Sequence, residues 1–143
     1  MQKFIKYNFG FKRKKRNTKV LWEEAPDIAL RLNALAEKLQ IDWINIEDVF
    51  TLRSTGSKSR AIARIWGLSK VWQMVLKESS KYIIEVISER FDKLTEKEKN
   101  KVILHEIAHI PKNFSGALVP HYRKGKRKFN DLVGNLVNKY LNG

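Results

Sequence analysis

Residues 105–109 read His-Glu-Ile-Ala-His, and His121 follows 12 residues later as the third and last histidine of the chain. Side chains four apart share one face of a helix, so His105 and His109 could reach a single metal ion. Glu106 then lies beside that pair, near enough to contact a water on the metal without being a ligand. Zinc lowers the pKa of such a water to about 7, and a neighbouring carboxylate can take its proton as the oxygen attacks a carbonyl. A catalytic zinc site needs three protein ligands and one open position, and His121 is the only imidazole left to be the third. The expectation is one Zn²⁺ held by His105, His109 and His121, with Glu106 as general base.

The motif sits where a helix is independently expected. Thr95 with Glu98 three positions later forms a capping box, and Glu96 and Glu98 suit the positive end of the helix dipole. Pro111 cannot continue the ladder, so the helix should stop near Ile110, leaving both histidines on its last turns. Residues 111–125 carry two prolines and two glycines and read as a loop. Phe129, Leu132, Val133, Leu136, Val137, Tyr140 and Leu141 then recur at helical spacing, one amphipathic helix.

Upstream, Ile28, Leu32, Leu35 and Leu39 form another helical stripe, begun by Pro26 and Asp27. The stretch 42–68 changes to strand formers with partial alternation and reads as two strands joined by a polar hairpin or a longer loop. Ser69 could cap a short helical turn through "KVWQMVL", and "KYIIEVISERF" gives a third strand. Helix, two or three strands, helix, loop and helix make an α+β domain with a small mixed or antiparallel sheet.

Composition narrows the function. A chain of 143 residues with 43% hydrophobic content suits a single folded domain, here 20–143, preceded by a basic arm at 1–19. Cysteine is absent, so any metal must be held by imidazole or carboxylate, and a reducing cytoplasmic setting is expected. No apolar run approaches a membrane span. The net charge of +14 would attract polyanions, which makes nucleic acid an expected non-specific partner beside a protein or peptide substrate. Lys12, Arg13, Lys14, Lys15 and Arg16 form one cluster; Arg123, Lys124, Lys126, Arg127 and Lys128 form another. Trp22, Trp43, Trp66 and Trp72 lie outside these clusters and are expected in the core.

The stretch "YIIEVISERFDKLTEKEK" followed by "VILHEIAHIPKNFSGALVPH" resembles the metallopeptidases of phages and archaea related to the SprT-like minimal zincins. The likeness spans roughly 43–135 and is best from Tyr82 to His121. It implies a zincin-like fold, His105, His109 and His121 as zinc ligands, Glu106 as general base, and "YIIEVIS" as the edge strand that aligns an extended peptide. The metzincin pattern is excluded, because Lys112 and Ser115 stand where its glycine and histidine would be. Tyr122 and Arg123 are candidates for stabilising an oxyanion, and Asp131 for orienting a ligating imidazole; each is as readily a surface residue. The competing readings are a nucleic-acid-binding module with a non-catalytic zinc and a zinc hydrolase of non-peptide substrates. A structural zinc usually fills four ligands, often thiolates, which this chain lacks.

Overall fold

Strand-forming and helix-forming stretches alternate along the chain, and the computed structural model, which describes residues 19–121 and 129–143, resolves them into one mixed sheet and five helices. The sheet comprises β1 (Leu21–Glu24), β2 (Val49–Thr55), β3 (Ala63–Gly67) and β4 (Tyr82–Ile87) in the order β1-β2-β4-β3. β1 is antiparallel to β2, β2 is parallel to β4, and β3 is antiparallel to β4. The helices are α1 (Pro26–Lys38), α2 (Lys70–Leu76), the single turn α3 (Ser88–Phe91), α4 (Glu96–Ala108) and α5 (Phe129–Asn142).

The α+β class and the mixed sheet are as expected, and the stripe Ile28, Leu32, Leu35 and Leu39 is buried, α1 supplying its first three residues. With Ile84 and Val86 of β4 and Ile103, Leu104 and Ile107 of α4, these residues form the core under one face of the sheet. The α4 capping box is formed: the Thr95 hydroxyl accepts from the Glu98 amide, and the Glu98 carboxylate accepts from the Thr95 amide. α4 packs beneath β3, and α5 packs against α4.

Three expectations are corrected. "YIIEVIS" is no edge strand: β4 pairs on both sides, with β2 and with β3, and the edges are β1 and β3. Its near-continuous burial from Ile84 to Ile87 is what an interior strand covered on both flanks requires. The two strands within 42–68 do not pair with each other, since β4 lies between them, and a fourth strand, β1, lies where no strand was read. Trp22, Trp66 and Trp72 are exposed rather than in the core; Trp43 alone is packed partly against it. Trp22 and Trp66 sit on the outer face of the sheet, which no helix covers among the described residues, and each is held there by a polar partner.

That partner system centres on Glu85, a buried carboxylate in the middle of the outer face. The indole N–H of Trp22 on β1, the hydroxyl of Ser54 on β2 and the guanidinium of Arg64 on β3 all donate to it. Burial alone would raise the Glu85 carboxyl, but these three donors outweigh it and hold it below the usual carboxylate range. Arg64 also lies 5.4 Å from the Trp66 ring. One carboxylate therefore ties all four strands.

α2 has its polarity reversed. Val71, Trp72, Met74, Val75 and Leu76 face solvent, while Gln73 turns inward and donates its amide to the Leu68 and Ser115 carbonyls. Ser69 is the N-cap residue, as expected, although its side chain makes no capping bond.

Close by, Gly67 and Gly116 bring the end of β3 against the loop that leads to His121. A Cβ on Gly67 would overlap the Gly116 carbonyl, and one on Gly116 would overlap the Leu68 carbonyl. Gly116 also has φ +91, where an L side chain is strained. The Gly116 amide donates to the Tyr82 hydroxyl, which donates in turn to the Ala117 carbonyl. Gly116→Ala is expected to lower stability by about 2–4 kcal/mol, from strain plus overlap. A urea midpoint equal to that of the parent would show the loop to be more compliant than this packing implies.

Candidate metal centre

α4 ends by bringing both histidines of the motif to one place: His105 lies on its last full turn, and His109 is the C-cap residue. The loop then doubles back. The Val119 amide donates to the His109 carbonyl at 2.7 Å, and His109 Nδ1 lies 2.6 Å from the Val119 carbonyl oxygen. A carbonyl can only accept, so His109 Nδ1 carries the proton and Nε2 keeps a free lone pair. Two residues on, His121 places its Nε2 3.1 Å from Nε2 of His105. One nitrogen from each of the three rings falls within 4.8 Å of the others.

This donor set could hold a metal ion, and one pair already has the spacing of a zinc site. Two nitrogens each about 2.0–2.1 Å from a tetrahedral zinc would lie about 3.3–3.4 Å apart, close to the His105–His121 separation. The rings of His105 and His109 are also held neutral. Burial, then the proximity of His109 and His121, lowers His105 to about 4, and burial lowers His109. Neutral imidazoles leave the lone pairs a metal needs. Glu106 is buried beside them, and burial pushes its carboxyl up to about 7, a range suited to exchanging protons near neutral pH. A cation next to it would pull that value down.

The family model described as "Putative phage metallopeptidase" matches residues 20–139. The chain belongs to that family. No curated protein and no solved structure matches it. Membership in this metallopeptidase family and the histidine cluster together support a metal ion at the centre and a peptidase activity at the level of the family.

The weaker candidates fare differently. Tyr122 and Arg123 lie outside the described residues. Asp131 is exposed in the first turn of α5, and the orienting partner of His109 is the Val119 carbonyl instead. The residue that sequence reasoning missed is Phe129. Its ring lies 4.2 Å from that of His109, nearly parallel, and 5.0 and 4.9 Å from those of His105 and His121. It was legible only as the first member of the α5 stripe, and nothing in that spacing says that it faces imidazoles. An apolar ring here keeps water from the flank of the cluster and anchors α5 to it.

The cleft opens between β3 and the returning loop, lined by Ala61, Ala63, Arg64 and Ile65 on one side and Leu118–His121 on the other. The Ile62 carbonyl accepts from the Ile87 amide of β4, and the Leu68 amide donates to the carbonyl of Lys81, the residue before β4. Antiparallel pairing alternates, so the backbone N–H and C=O groups of Ala63 and Ile65 point away from β4, toward the free edge. The strand at residues 82–88 is interior, and the edge strand that lines the cleft is β3.

Proposed function

We propose that the chain is a zinc-dependent peptidase in which Glu106 is the general base. The observation that carries this is the convergence of three imidazoles on one point with Glu106 beside them, in a chain of a metallopeptidase family. His105, His109 and His121 would hold the zinc, and three ligands leave the open position that catalysis needs. When bound, zinc supplies a Lewis acid that polarises the scissile carbonyl and acidifies a water.

The chain's own groups do the rest. The substrate lies extended along β3, its main chain paired with Ala63 and Ile65 as an added strand, which aligns one peptide bond with Glu106. Glu106 takes a proton from the attacking water and returns it to the departing amine. The Val119 carbonyl keeps the His109 ring in one tautomer and orientation through both steps. Phe129 excludes bulk water from the flank.

The test is to load the purified chain with zinc, expose it to unfolded protein and read new termini by mass spectrometry. New termini that vanish on chelation and return with zinc are expected; their absence under all conditions would remove the peptidase reading.

Nucleic acid is proposed as a recruiting partner. Residues 1–18 hold seven Lys and Arg, residues 122–128 hold five, and neither segment has an acidic residue. Binding to duplex DNA should weaken with salt, at about −0.9 in log–log slope per phosphate neutralised. Removing residues 1–16 should flatten that slope without changing metal content. No binding at low salt would sink this recruitment and leave the metal chemistry untouched.

A further inference from the structure

A second cavity meets the cleft at Ala63, His105 and Glu106, with a volume of about 570 Å³. This lies within the range of a small-ligand pocket and admits any single side chain. Its walls are apolar, formed by Ile62, Val102, Val133 and Val137, and it carries two cations, Arg60 and Lys101. Among the described residues Glu106 is the only acidic one on its lining, and it is buried where Arg60 is exposed and Lys101 half-buried. Among the described residues neither cation belongs to an ion pair, and these two share one cavity. Two uncommitted cations over an apolar wall match one kind of ligand: an aliphatic stem ending in a carboxylate.

We propose that this cavity is a carboxylate subsite that selects substrates bearing an acidic group next to the bond being cut. The inference rests on the peptidase reading above and adds the substrate class to it. The carboxylate can come from a Glu or Asp side chain or from a free chain terminus, and both present the same group to Arg60 and Lys101. Apolar contact with Val102, Val133 and Val137 favours the longer stem of Glu over Asp. Because both cations are reached by solvent, the selectivity is modest and weakens with salt.

The experiment uses the full chain loaded with zinc. A peptide library is digested and the residues flanking each cut are read by mass spectrometry. Matched peptides then differ only in Glu against Gln beside the cut, or in a free against an amidated C-terminus, which separates the two sources. The expected result is about a tenfold higher kcat/KM for one acidic member of a pair. In the double variant Arg60→Ala, Lys101→Ala that ratio should fall close to one. Cleavage with no acidic preference, or a preference that survives the double variant, overturns the subsite and leaves the peptidase reading standing. If nothing is cut, the same pairs are titrated onto the Glu106→Gln protein by fluorescence anisotropy. About tenfold tighter binding of the acidic member, lost in the double variant, supports the subsite without any turnover. Equal affinity, or binding of neither, overturns it.

Discussion

Glu106→Gln should keep its fold and its metal while losing about 10²–10⁴-fold in peptide hydrolysis. Glutamine has nearly the same volume, so the packing around a side chain that is 6% exposed is preserved. What it lacks is basicity: an amide oxygen cannot take the proton that the attacking water must shed. Burial raises the Glu106 pKa, and among the described residues no donor offsets it. Without metal the carboxylate is therefore a cost to the folded chain, so the metal-free variant should unfold at the same temperature as the metal-free parent or higher. Zinc analysis, thermal melting and product mapping on one preparation separate these effects. Activity within a few-fold of the parent would take Glu106 out of the base's role.

His121→Ala should weaken metal retention by more than about 100-fold, beyond what losing an outer-shell partner costs. His121 is exposed and lies after α4, so its loss leaves the helix, its capping box and the His109–Val119 pairing in place. A chelator competition on parent and variant measures the change. Unchanged helical signal with lost metal is the expected pair of outcomes. Full occupancy after the same chelation would mean that another group, a carboxylate by default, is the third ligand.

The site was more legible in the sequence than the sheet was. His105, Glu106 and His109 are a local pattern on a helix whose start at Thr95 and end before Pro111 are themselves local signals, so spacing sufficed. His121 could be found by elimination, because no other histidine exists. Strand order depends on contacts distant in sequence. Nothing within "YIIEVIS" tells whether one neighbour or two will pair with it, and the strand that does line the cleft, Ala63–Gly67, is only five residues long. β1 was illegible for a related reason: all four of its residues are exposed, so no apolar alternation marks it, and its place is set by pairing with β2 and by the Trp22 bond to Glu85. The tryptophans mislead because lying outside the basic clusters does not place a ring in the core: Trp22 and Trp66 sit on a sheet face that no helix covers among the described residues, and Trp72 on an outward-facing helix.

The free edge of β3 has a consequence for how this protein can diversify. The backbone that would hold a substrate and one wall of the adjoining cavity, Arg60, Ile62 and Ala63, come from one hexapeptide, Arg60 to Ile65, whereas every imidazole comes from residues 105–121. The two stretches meet in space but share no residue. On the proposed reading, much of the selectivity is therefore written apart from the imidazoles, with Lys101 and Val102 on α4 the exceptions. On that reading, side chains at 60 and 62 could be exchanged to redirect what is cut while the ligands, their tautomers and the base stay as they are, whereas Arg64 is tied to Glu85. A substitution that spoils the histidine cluster, by contrast, abolishes all substrates alike.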